Sequence, residues 1–149
     1  MNNNIKDLLI YPLKQIQDDR GAVFKFLDSS SPSFSTFGEA YYSKINGGVI
    51  KGWKYHKKIH QNFCVPYGKV KMVIYDGREN SKYKGCIDEI ILDDSQNYCL
   101  LSMPPLLWYS FKSESENFSI LSNIVSEKHD TNESINVKLI NNKIPYEWK

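Results

Sequence analysis

The sequence predicts an all-β protein, a sandwich or a barrel, on three observations. Tyr (10), Phe (7) and Trp (3) are plentiful, and aromatic residues fit a pleated, half-buried surface. Apolar alternating runs are separated by Gly, Pro, Asn and Asp punctuation at about 8–12 residue spacing. No long stretch carries a helical period, and the helix candidates are short and weak. The 149 residues suit one domain, 1–149, with a single core and no repeat or linker.

In order, Ile5 to Leu13 is a short apolar run containing Pro12, which suits an edge strand. Gln17-Asp18-Asp19-Arg20-Gly21 reads as a turn. Ala22 to Leu27 alternates, with Val23 or Phe24 and Phe26 as core candidates, and Ser29 to Thr36 is a Ser/Pro-rich loop. Glu39 to Ile45 is an aromatic strand closed by Asn46-Gly47-Gly48, and Val49 to Lys57 is the next. Gln61 to Val65 leads into the turn Pro66-Tyr67-Gly68. Lys69 to Tyr75 alternates with its lysines outward, and Asp76-Gly77-Arg78 is a turn. Cys86 to Leu92, Tyr98 to Ser102, Trp108 to Lys112 and Phe118 to Val125 complete the strands. Pro145 opposes a helix in the tail, where Trp148 is expected to tuck back onto the barrel or into a partner subunit.

Composition limits the function. A net charge of +2 gives no field for a nucleic-acid polymer. The start, Met1-Asn2-Asn3-Asn4, has no apolar signal core, and no 18-residue apolar run offers a membrane span. Cys64, Cys86 and Cys99 are odd in number, lack CxxC spacing and sit in apolar surroundings, so buried reduced thiols in a cytoplasmic protein are expected.

The densest chemistry lies in Gly47 to Gln61. Strand periodicity puts Lys54 and His56 on one face. If that face points inward, an imidazole near neutral pH serves as a base and the ammonium lowers its pKa and stabilises an enolate. His60 and Gln61 could add hydrogen bonds. The alternative is that His56 and His60 are surface histidines on a Lys-rich turn. Arg20 is a candidate phosphate fork or a solvated turn residue, and Lys51 could add charge. Trp108 and Tyr109 follow a rigid Pro-Pro pair; Trp108 could stack on a base or sugar, or fill the barrel mouth.

The same stretch keeps the frame of the first cupin motif: Gly48, Lys54-Tyr55-His56, Gln61 and Gly68. Pro104-Pro105-Leu106-Leu107-Trp108-Tyr109 stands at the second. Lys54, Gln61 and Tyr109 occupy metal-ligand positions, leaving His56 as the one good ligand. A cupin double-stranded β-helix, or jelly roll, without a metal is expected.

The chain resembles the dTDP-4-dehydrorhamnose 3,5-epimerase family and its dTDP-sugar 3,4-ketoisomerase relatives over nearly its whole length. The likeness is carried by Asp19-Arg20-Gly21, Gly48-Val49-Ile50-Lys51-Gly52, Gln61, Gly68, Asp76-Gly77-Arg78 with Ser81, Met103-Pro104-Pro105 and Tyr146-Glu147-Trp148. The run from His56 to Gln61, with the Pro-Pro-x-x-Trp segment, is closer to the ketoisomerases. The resemblance implies a cofactor-free jelly-roll homodimer that moves protons beside the C4 ketone of a nucleotide-linked sugar. It also marks departures. Lys54 stands where epimerases have their base His, Phe63 where a Lys is expected, and Tyr109 where a second His is expected. The family's acid Tyr falls near Ser122, and no Asp follows Trp148.

The expected function is that of a sugar-nucleotide epimerase or ketoisomerase in deoxysugar and polysaccharide biosynthesis. His56 would be the base, Lys54 the stabiliser or proton partner, and Tyr109 or Tyr41 the acid. Arg20, Lys51, His60, Gln61 and Trp108 would contact the substrate, which the resemblance implies is dTDP-linked. The alternative is a non-catalytic cupin that binds a nucleotide sugar.

Overall fold

The structure is a computed structural model that describes residues 3–149. Met1 and Asn2, half of the polar start, lie outside the described residues. Twelve strands follow one another: β1 (Leu9–Pro12), β2 (Gln15–Asp18), β3 (Gly21–Phe24), β4 (Glu39–Asn46), β5 (Ile50–His56), β6 (Gln61–Tyr67), β7 (Lys69–Tyr75), β8 (Ile87–Asp93), β9 (Cys99–Met103), β10 (Trp108–Ser113), β11 (Phe118–Val125) and β12 (Ser134–Asn136). The described residues contain no helix. One five-stranded sheet runs β1-β9-β6-β11-β4 and the other β12-β5-β10-β7-β8, all antiparallel, with β2 and β3 as a separate ribbon. This is the predicted jelly roll.

Alternation builds the core between the sheets. Val70, Met72 and Ile74 of β7 point inward and meet Phe63 and Val65 of β6, Leu101 and Met103 of β9 and Leu121 of β11. Each such side chain contributes about 2 kcal/mol by leaving water. A second cluster lies on the outer face of the second sheet, where Trp53 and Val73 are covered by Val137, Leu139, Ile144, Tyr146 and Trp148. Trp148 does tuck back, its Nε1–H donating to Ser110 Oγ at 3.1 Å. Lys71 faces outward as expected but is half covered, paired with Glu89 at 2.7 Å and set near the Tyr146 and Trp148 rings.

Three expectations change. The turn is confined to Asp19-Arg20, because Gln17 and Asp18 already pair with Ala22 and Gly21 in the ribbon. Val23 is not a core residue. It pairs with Ile16, and both are more than half exposed on a ribbon that joins neither large sheet. Phe24 packs instead, 5.1 Å from the Tyr98 ring. Cys64 and Cys99 are buried free thiols, pushed up to about 12 and about 11 by burial, but Cys86 is only half-buried.

The β7–β8 connection is pinned by a fully buried Asp76. Its carboxylate accepts from Arg78 Nε at 2.9 Å, Arg78 Nη2 at 2.6 Å and Ser81 Oγ at 2.6 Å, and the same guanidinium reaches Asp7 at 2.7 Å. Burial would raise the carboxyl pKa, but the Arg78 and Ser81 donors outweigh it and hold it low. Removing one partner of such a pair strands the other. Asp76→Ala is therefore expected to cost about 3 kcal/mol in urea unfolding, with the midpoint rather than the slope moving.

Candidate active site

The sandwich is open along one side, between β4, an edge of the first sheet, and β5, next to the short edge strand β12. A hollow of about 230 Å³ lies there, lined by Glu39, Tyr41, Lys54, His56, Ile59, Val125 and His129. An inner hollow of about 100 Å³ shares Tyr41 and Lys54 and is floored by Phe63, Tyr109, Phe111, Leu121 and Asn123. The face carrying Lys54 and His56 thus points inward.

A bulge in β5 produces this aim. Lys51 lies opposite Phe111 and Lys54 opposite Tyr109, so three residues on β5 span two on β10. The extra residue keeps Lys51 and Lys54 on one face, although their odd separation would set them on opposite faces of a regular strand. It also turns Trp53 outward into the second cluster. Gly52 permits this: its φ is +124°, and a Cβ there would stand 2.8 Å from Ser110 Cα.

His56 is buried between two partners. Its Nδ1 lies 2.5 Å from Glu133 Oε2, and its Nε2 lies 3.3 Å from the Tyr109 hydroxyl. The other Glu133 oxygen accepts the N–H groups of Lys58 and Ile59 at 2.8 and 3.1 Å. Burial alone would raise the Glu133 carboxyl; the two amides and His56 more than offset that and hold it ionised below its usual value. An ionised acceptor at Nδ1 places the proton there and leaves Nε2 with a lone pair on the cavity side. Burial lowers the His56 pKa, Glu133 partly restores it, and the Lys54 charge lowers it again. The imidazole is therefore a neutral base at pH 7.

The Tyr109 hydroxyl donates to Gln61 Oε1 at 3.1 Å, which also accepts from Asn123 Nδ2. Asn123 Nδ2 donates in turn to the Tyr41 hydroxyl at 2.8 Å. Burial raises both phenols, Tyr109 strongly, so both remain protonated near neutrality. Tyr41 stands on β4, across the opening from His56 and Lys54 on β5.

The other candidates are placed differently. Gln61 is buried beside Tyr109 and braces it, outside the linings of both hollows. Lys51 lies at the exposed end of the same face, its Nζ 3.4 Å from the Lys44 carbonyl. His60 turns away from the cavity and meets Ser102 Oγ at 2.6 Å. Trp108 lies on the outer face of its sheet, 5.0 Å from the Tyr55 ring, because it alternates with inward Tyr109. Arg20 is on the ribbon, largely exposed and paired with Asp18 at 2.6 Å, remote from the hollows in this chain. Ser122 turns away from the opening, opposite exposed Tyr42, while its neighbours Leu121 and Asn123 face in.

Sequence reasoning missed Glu133, Asn123, Glu39 and His129. Glu133 sits in the polar stretch Asp130-Thr131-Asn132-Glu133, which reads only as a turn.

These couplings have a sign that NMR can read. In a titration of the imidazole resonances, His56 should protonate below the usual imidazole value of 6.5. Glu133→Gln removes an interaction that favours the cation and should move the titration lower. Lys54→Met removes a repelling charge and should move it higher.

The model of the dTDP-4-dehydrorhamnose 3,5-epimerase family matches residues 2–149. A solved structure described as a dTDP sugar isomerase from Desulfovibrio desulfuricans is 33% identical, covers 99% of this chain and 94% of its own, and superposes with a TM-score of 0.96. A probable low-salt glycan biosynthesis epimerase of Haloferax volcanii is 28% identical over 129 residues, 85% of this chain and 82% of the relative. The Legionella pneumophila dTDP-6-deoxy-D-glucose-3,5-epimerase, solved with dTDP-4-keto-L-rhamnose, shares the fold at 19% identity, covering 99% of this chain and 81% of its own with a TM-score of 0.87.

Proposed function

Since this chain belongs to the dTDP-4-dehydrorhamnose 3,5-epimerase family, we propose that it epimerises or isomerises a nucleotide-linked deoxyhexose beside a C4 ketone, by proton transfer without a metal. The observation that carries this reading is the His56–Glu133 pair, whose Nε2 lies only loosely against the Tyr109 hydroxyl at 3.3 Å on the wall of a hollow that Tyr41 also lines. A carbon next to a ketone is acidic, so a positioned base and a stabiliser for the enolate suffice. His56 removes the proton, Lys54 sits by the developing oxyanion, and Tyr41 returns a proton from the opposite face. Tyr109, on the His56 side, is the acid for return to the same face, as a ketoisomerase would need.

The base has moved by two residues relative to the family pattern. Lys54 holds the family's base position, and His56 takes over with Glu133 as the carboxylate that orients it. The non-catalytic binding reading is favoured by the family positions now held by Lys54, Phe63 and Tyr109, but the new dyad restores what those changes remove.

The nucleotide is taken to be dTDP, held at the mouth by Lys51. Arg20 can join a diphosphate site only from a second copy, and the exposed Ile16–Val23 pair on its ribbon offers a surface for such a homodimer. A nucleotide-sugar substrate places the reaction in the cytoplasm and in polysaccharide biosynthesis.

Incubation with a dTDP-linked 4-keto-6-deoxyhexose in D₂O should bring deuterium into C3 or C5, followed by NMR. His56→Ala should slow this roughly 100- to 10,000-fold, the usual range for a general base. Tight binding with no exchange would select the binding module, and a ketone appearing at C3 would select the ketoisomerase.

A further inference from the structure

The Lys54 amine makes no hydrogen bond or ion pair with any described residue, although its side chain lines both hollows. Two other partly covered lysines, Lys71 and Lys112, do find carboxylates, at Glu89 and Glu114. The carboxylates around this hollow already have partners. Glu133 is bound to His56 and two amides, and Glu39 Oε2 accepts the His129 N–H at 3.0 Å. A half-buried ammonium thus stands without a counter-ion beside a neutral base and two protonated phenols, facing the space in which a ketone would lie.

That grouping is what amine catalysis of a ketone requires. We propose that Lys54 is a covalent catalyst, condensing with the sugar ketone to an iminium before the neighbouring carbon loses its proton. This rests on the reading above that the substrate carries a ketone at C4. His56 Nε2 first takes a proton from the Lys54 ammonium, and the freed Nζ lone pair attacks C4, forming the C–N bond as the carbonyl π pair moves onto oxygen. A second nitrogen proton moves to the former carbonyl oxygen by way of the Tyr109 or Tyr41 hydroxyl, the proton held on His56 follows it, and the oxygen leaves as water with His56 neutral again. His56 Nε2 takes the proton from the adjacent carbon, and the C–H electron pair flows into the C=N⁺ bond to give a neutral enamine. Tyr41 reprotonates that carbon from the opposite wall and regenerates the iminium. One water then adds to C4 and expels Nζ, its two protons passing to nitrogen to restore the ketone and the ammonium, while the proton on His56 returns to Tyr41. The positive nitrogen is a stronger electron sink than a carbonyl oxygen beside an ammonium. It accounts for a lysine where a histidine base would otherwise stand.

The test is reductive trapping of the whole protein with sodium cyanoborohydride and a dTDP-linked 4-keto-6-deoxyhexose at neutral pH, with peptide mapping by mass spectrometry. Deuterium exchange is run in parallel on wild type and Lys54→Arg, which keeps the charge but cannot form the iminium. A sugar-nucleotide adduct on Lys54, with exchange lost at least 100-fold in Lys54→Arg, is the expected result. Wild-type exchange without an adduct, or Lys54→Arg within about 3-fold of wild type, overturns the covalent step and leaves the epimerase reading standing. An adduct without exchange keeps the covalent step and removes the epimerase reading. Neither adduct nor exchange removes both.

Discussion

The carboxylate–imidazole contact between Glu133 and His56 is the constraint on which the site depends. It joins the end of β5 to the segment leading into β12, and it buries a negative charge that is tolerable only because two backbone amides and an imidazole N–H surround it. The same contact fixes which ring nitrogen carries the proton. Without it the imidazole could present either nitrogen to the cavity, and burial would leave it a poorly oriented base. With it, a lone pair faces the hollow and a phenol waits on the opposite sheet.

Two features far from the opening hold that geometry. The bulge at Trp53 sets Lys51, Lys54 and His56 on the inner face, and the indole it turns outward is clamped by the C-terminal segment through Ile144 and Tyr146. Pairing between Trp53 and Val137, reciprocated through both backbones at 3.1 and 3.0 Å, extends the short β12 ladder. At the back, Leu106 N–H donates to the His56 carbonyl at 2.8 Å, fixing the strand end from the Pro-Pro turn. The tail thus supports the wall that carries Lys54 and His56 from outside while the sandwich core supports it from within.

Much of this was legible in the sequence. The long strands alternate clearly, so β4 to β11 fall close to where the pattern puts them, and the Lys54–His56 face follows from period two. The short β2 and β12 were not legible, because three or four polar residues carry no period and depend on their pairing partners. Val23 failed as a core residue for a related reason: alternation says which side chains share a face, not whether another layer covers it. Trp108 shows the reverse case, since alternation with inward Tyr109 sends it to the outer face whatever its stacking capacity. Glu133 could not be found locally at all, because it reaches His56 from a loop 77 residues away in the chain. Arg20 lies exposed on the ribbon, paired with Asp18, and lines neither hollow.

The most direct measurement is a crystal structure with a bound dTDP-linked 4-keto sugar or a stable analogue. A carbon adjacent to the ketone should lie about 3–3.5 Å from His56 Nε2, the separation of reacting atoms, with Glu133 still on Nδ1 and Tyr41 across the ring. A sugar seated outside the β4–β5 opening, or a His56 whose Nε2 stays engaged by Tyr109 while the ring carbons face elsewhere, would contradict the claim that this dyad is the base.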